Sequence, residues 1–132
     1  MQKSKPHIEF MSIEMDDDWE TPTGYPDGMH QKVLTSNLDE ANKTGSRSRL
    51  LRISAGAFST EPFVHDHWEE VYLVEGDLVV GNDANGQGGE QFFAPTYACR
   101  PPGVLHGPFT SKTGCVMFEL HYYQPESESG VD

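Results

Sequence analysis

Two short segments carry most of the chemistry in this sequence: His65-Asp66-His67-Trp68-Glu69 and Pro101-Pro102-Gly103-Val104-Leu105-His106. His65 and His67 are separated by one residue, so on an extended strand both imidazoles leave the same face. His106 comes later in the chain, behind a Pro-Gly turn that sets its approach. Three imidazoles and a carboxylate brought to one point would form a ligand set for a divalent first-row ion such as iron, manganese, zinc, nickel or copper. Glu69 and Glu70 compete for the carboxylate position, and Glu69 is the favoured one. If the chain runs straight through residues 65–69, His65, His67 and Glu69 share a face. If it turns at Trp68, Glu69 enters from the following strand. Either geometry serves a single ion.

The elements that must position these residues are short. Apolar runs bounded by turn formers predict strands over 31–37, 48–54, 62–67, 69–75, 78–82, 90–93, 96–100, 104–109 and 115–123, with one short helix around 38–43. Glu75-Gly76-Asp77 between Val71-Tyr72-Leu73-Val74 and Leu78-Val79-Val80 reads as a tight hairpin. The Gly-rich stretch 82–89 has neither a following helix nor a lysine to cradle phosphate, so it reads as a loop. Many short strands with regular turns imply an all-β sandwich or barrel. In such a barrel, burying several histidines and a glutamate costs several kcal/mol unless something satisfies them. A divalent metal does so, because it accepts neutral imidazole and ionised carboxylate together.

A chain of 132 residues supports one domain with one core. Residues 1–45 read as an N-terminal arm with an irregular segment and a first strand, 46–123 as the barrel, and 124–132 as a flexible tail. Asp16-Asp17-Asp18 reads as a solvated patch. With 9 basic and 21 acidic side chains the formal charge is -12, which argues against nucleic acid and anionic membrane surfaces as partners. No apolar run reaches membrane-spanning length and no signal-type stretch follows the first residues, so a cytoplasmic protein is expected. Cys99 and Cys115 form no metal-type pair and are expected to be small buried residues.

On the last strand, Glu119 and His121 share a face with Met117 and Tyr123. The opposite face carries Val116, Phe118, Leu120 and Tyr122 and is the favoured core face, which would leave Glu119 and His121 in solvent. The reverse orientation would make them acid/base partners or supports for the metal ligands. Trp68, Tyr72 and Phe109 flank the candidate ligands and could wall a small-molecule pocket. Arg49 and Arg100 either hold an anionic substrate or pair with surface acids.

With these motifs in order, the chain resembles the cupin superfamily. The first cupin motif is matched by His65-Asp66-His67-Trp68-Glu69 running on to Gly76, with the family's acid-to-Gly spacing, and the second by Pro101 to His106. Glu69-Glu70, Arg100-Pro101-Pro102-Gly103, Gly107-Pro108-Phe109 and Thr113-Gly114-Cys115 look most like the ChrR-type cupins, which include zinc-binding anti-sigma sensor domains and diketone-cleaving dioxygenases. The resemblance implies an antiparallel jelly-roll barrel (a double-stranded β-helix) with one metal near its mouth. It maps His65, His67 and His106 to the metal-binding histidines, and Glu69 to the acid of four-ligand members. The gap between His67 and Glu69 is shorter than the family's usual one. A three-histidine site is therefore the alternative. Ser59, Pro95 and Thr110 stand where the motifs often carry Gly, Gly and Asn.

The function this implies is a metal-dependent enzyme acting on a small organic molecule, with an Fe(II) dioxygenase of diketones or hydroxyketones favoured. The alternatives are a zinc-holding sensor and a metal-dependent isomerase or lyase using Glu119 or His121 as base. Residues 1–45 show neither the helical periodicity nor the Cys/His pattern of a sigma-binding segment. The resemblance further implies a homodimer, in which N-terminal residues could exchange between subunits.

Overall fold

Alternation with period two, repeated on strand after strand, gives the chain its architecture. In the computed structural model, residues 4–125 are described and seven strands form: β1 (Met29–Ser36), β2 (Ser46–Ile53), β3 (Trp68–Val80), β4 (Glu90–Phe93), β5 (Thr96–Arg100), β6 (Phe109–Thr110) and β7 (Cys115–Tyr122). All pairings are antiparallel, in the order β1-β2-β7-β3-β4, with β5 and β6 also on β3. The core is Met29, Leu51, Ile53, Val71, Leu73, Leu78, Cys115 and Met117. The expected all-β architecture of antiparallel strands is the one observed. Among the described residues no helix is long and apolar enough to cross a membrane.

Four local expectations are corrected. The hairpin at Glu75-Gly76-Asp77 does not form. β3 runs on for 13 residues, with a bulge between Leu73 and Glu75. Its first half pairs with β5 and β7, and its second half with β4 and β6. Gly76 serves this change of partners. Its φ is 85°, and a Cβ there would stand 2.0 Å from the Gly114 carbonyl oxygen. The helix around 38–43 is instead a turn, in which Asp39 and Thr44 exchange backbone hydrogen bonds and Asp39 Oδ1 accepts from Asn42 N–H. That side chain offers the backbone an alternative to helix.

The strands expected over 62–67 and 104–109 shrink to a bridge between Phe63 and His106 and the two-residue β6. Cys115 is buried as expected, but Cys99 is exposed because it sits on the outer face of β5. The acidic run 16–18 is exposed, as read from the sequence. Of the expected flexible tail, residues 126–132 lie outside the described residues.

Candidate metal centre

The two motifs meet through their backbones. Phe63 and His106 exchange hydrogen bonds of 2.7 and 2.9 Å, and Gly103 N–H donates to the His65 carbonyl at 2.9 Å. This juxtaposes the side chains. The His65 ring lies 4.6 Å from that of His67 and 5.2 Å from that of His106. Glu69 enters from β3, one residue after the strand begins, and is buried.

One donor atom each from His65, Glu69 and His106 falls within 4.8 Å of the others, and a second such group joins Glu69, Glu119 and His121. His67 belongs to neither group. Its Nδ1 lies 3.1 Å from the Trp68 carbonyl, and its ring stacks between those of His65 and His121.

These residues fit a cation on three observations. His65 Nε2 is buried without a hydrogen-bond partner. His106 directs Nδ1 at the Val104 carbonyl at 3.2 Å, leaving the lone pair of Nε2 toward Glu69 Oε1 at 3.4 Å. Two lone-pair carriers facing each other are relieved by a positive ion. The third observation is protonation: burial pushes His65 down to about 4, against the attraction of Glu69, and also lowers His67 and His106. Neutral imidazole is the ligating form.

The register explains what surrounds this centre. Arg47 of β2 pairs with His121 of β7, His121 with Glu69 of β3, and Glu69 with Arg100 of β5, so one row across four strands is wholly polar. The next row sets Arg49 against Glu119, and the rows beyond hold Leu51 against Met117 and Ile53 against Cys115. The barrel interior is thus polar at one end and apolar at the other.

The favoured outward orientation of Glu119 and His121 is therefore corrected: both are buried, His121 fully. They can be inside because each is satisfied there. Arg49 reaches Glu119 Oε1 from Nη2 at 2.7 Å and from Nε at 2.9 Å. His121 Nε2 lies 2.9 Å from Glu69 Oε2 and 3.2 Å from Glu119 Oε1. Burial would raise the Glu119 pKa, but Arg49 and His121 outweigh it and hold the carboxyl below its usual range.

On His121, burial disfavours the charged ring while the two carboxylates favour it strongly enough to lift its pKa. Arg47 opposes that charge. Its Nε and Nη2 lie 3.1 and 2.8 Å from Nδ1, and a guanidinium only donates. Protonating Nδ1 would break both bonds, so the neutral tautomer with the proton on Nε2 is the one this arrangement selects.

A narrow cavity lies beside Glu69 and His106, walled by Tyr25, Met29, Phe63, Leu78, Phe109 and Met117. Arg100 and Phe109 line it as expected. Trp68 and Tyr72 do not: they belong to the opposite parity of β3, where Trp68 stacks on Tyr122 and Tyr72 is exposed. Arg49 and Arg100 pair with Glu119 and Glu69, which are buried acids rather than surface ones.

Sequence reasoning missed Arg47 and the partnership of Arg49 with Tyr25, Gln31 and Glu119. The available signal was parity. Arg47 and Arg49 alternate in phase with Leu51 and Ile53, as Glu119 and His121 do with Cys115 and Met117.

A family profile described as a ChrR cupin-like domain matches residues 11–124. No curated protein sequence matches the chain. Among solved structures, an acetylacetone dioxygenase from Acinetobacter johnsonii is 22% identical with a TM-score of 0.64, the alignment covering 92% of this chain and 78% of that one. An RmlC-like cupin from Shewanella frigidimarina is 24% identical with a TM-score of 0.63, over 96% of this chain and 97% of that one. The complex of Rhodobacter sphaeroides SigE with the anti-sigma ChrR is 18% identical with a TM-score of 0.57, over 81% of this chain and 50% of that one. At these identities the likeness is one of fold. On the profile match, which spans most of its length, the chain belongs to the ChrR cupin-like domain family.

Proposed function

We propose that this protein is a metal-dependent enzyme acting on a small organic molecule, and that it is an Fe(II) dioxygenase of chelating diketones or hydroxyketones. The observation that carries the reading is the convergence of donor atoms from His65, Glu69 and His106 at the edge of an apolar cavity. In this reading His65, His67 and His106 hold the ion and Glu69 is the fourth ligand, with His67 reaching it by a turn of its ring. The substrate class is suggested by the likeness in fold to an acetylacetone dioxygenase.

Bound iron would supply the redox chemistry between oxygen and a chelated substrate. The chain's own residues do the rest. Phe63, Phe109, Met29 and Leu78 exclude water and orient the carbon skeleton. His121 keeps a proton on Nε2 and steers Glu69. Glu119, held as a carboxylate by Arg49, anchors His121 and is not a base in this scheme. The homodimer belongs to the same reading, supported by the exposed Tyr72, Val74 and Tyr97 on the outer face of β3 and β5.

The deciding experiment is elemental analysis of untagged protein from cells grown without a forced metal, beside His65→Ala and His106→Ala variants. Near-stoichiometric iron that is lost in both variants, followed by oxygen uptake with diketones, is the expected result. Stoichiometric zinc without oxygen uptake would favour a sensor and overturn the dioxygenase reading. Light scattering that gives a monomer mass would remove the dimer.

A further inference from the structure

Three arginines reach the polar end of the interior, and they differ in how many N–H donors the protein already uses. Arg49 is committed: it donates to Glu119, Gln31 and Tyr25, and its side chain is 3% exposed. Arg47 spends Nε and Nη2 on one acceptor, His121 Nδ1. Arg100 makes one hydrogen bond, from Nη1 to Glu69 Oε1 at 2.9 Å, and no other acceptor among the described residues takes a bond from it.

A guanidinium carries five N–H groups, so most of those on Arg100 are unspent. They are also accessible, since the side chain is 17% exposed and lines the cavity with His106 and Phe109. The guanidinium carbon lies 5.6 Å over the Phe109 ring, a contact that holds its plane without using its donors.

Charge points the same way. Arg49 pairs with Glu119 and Arg100 with Glu69, so these four side chains balance, and a divalent ion on His65, Glu69 and His106 would add two positive charges. In a secluded site of low dielectric that excess favours a ligand that brings negative charge of its own.

We propose that Arg100 determines substrate specificity, and that the substrate is a small anion carrying a carboxylate beside its chelating oxygens. The unused N–H fork of Arg100 takes the carboxylate, a planar and bidentate match. The aromatic walls take the carbon skeleton. This inference rests on reading His65, Glu69 and His106 as metal ligands.

The test uses acetylacetone and 2,4-dioxopentanoate, which present the same chelating dione and differ by a carboxylate in place of a terminal methyl. Metal content is measured first. Protein loaded with redox-inert Zn(II) is then titrated with each compound by calorimetry. The carboxylate compound is expected to bind about tenfold tighter or more, the worth of a charge-assisted pair. Arg100→Gln, compared at full metal occupancy, should lose that preference, the ratio of the two affinities falling toward one. Arg100→Lys, which keeps the charge but not the fork, should fall between. Wild-type protein that holds no metal would overturn the metal reading and this inference together. Wild-type protein that holds metal but does not discriminate, or Arg100→Gln that still does, would overturn this inference alone.

Discussion

His121 donates from Nε2 to Glu69 Oε2 at 2.9 Å while its Nδ1 accepts from Arg47, so one imidazole links a half-buried cation to the carboxylate of the candidate metal centre. The link holds Glu69 on one oxygen and leaves the other toward His106 and Arg100. If Glu69 holds a metal ion, a residue that orients it in this way would contribute to affinity without touching the ion.

Replacing His121 by Leu should lower metal affinity about 10- to 100-fold, the usual effect of losing a group that orients a ligand. The fold should survive, with stability lower by about 1–3 kcal/mol for the buried acceptors left short of a donor. Competition with a chromophoric chelator reads the first effect and urea denaturation the second. Unchanged metal affinity would mean that Arg100 alone suffices to hold Glu69.

Arg49 and Glu119 form a buried ion pair at 2.7 Å, and breaking it from one side strands a charge in the interior. Glu119→Leu or Arg49→Met should each cost about 3–5 kcal/mol, because the partner is left uncompensated. The double variant should cost clearly less than the sum of the two. Additive costs in urea titrations would show that the two side chains act independently.

Asp77 is the acceptor that closes the loop before β7. It takes bonds from Thr113 N–H and Oγ1–H, Lys112 N–H, Ser111 Oγ–H and Gln91 Nε2–H. Burial would raise its pKa, but these donors outweigh burial and hold the carboxyl well below its ordinary value. A carboxyl with a depressed folded pKa contributes stability above the unfolded pKa of about 4, and loses it as pH falls toward the folded value. Asp77→Asn should therefore be less stable than wild type at neutral pH, with the difference shrinking below about pH 4. Melting both proteins between pH 7 and 3 checks this. A gap that stays constant with pH would assign the effect to packing.

The two thiols should separate cleanly under alkylation. Cys99 is exposed on the outer face of β5, whereas Cys115 is buried and its thiol is pushed up to about 11, chiefly by desolvation. A maleimide should label one site in native protein and two in denaturant, with mass spectrometry placing the native label on Cys99. Rapid native labelling of Cys115 would mean that β7 opens readily.

Much of the centre was legible along the chain because its signals are local. Two histidines with one residue between them form one local signal, a Pro-Gly turn followed by a histidine forms another, and the spacing from Glu69 to Gly76 lies within one strand. The need for glycine at 76 was legible too, but its purpose was not. A left-handed residue between apolar runs marks a hairpin or a bulge equally well, and the approach of Gly114 from a distant part of the chain decides between them. Likewise, the even positions of β7 are the more apolar, so hydrophobicity alone puts Val116, Phe118 and Leu120 inside.

The amino-acid sequence by itself singled out candidate ligand residues and determined that the elements are strands and that the class is all-β, because alternation and turn chemistry act over a few residues. Tertiary structure alone decided which face of β7 turns inward, since that depends on cross-strand register. Arg47 meets His121 across 74 residues of chain, and Arg49 meets Glu119 across 70. Only that pairing supplies the hydrogen bonds that make buried charge tolerable. It also decided that Arg100, with donors to spare, lines the cavity.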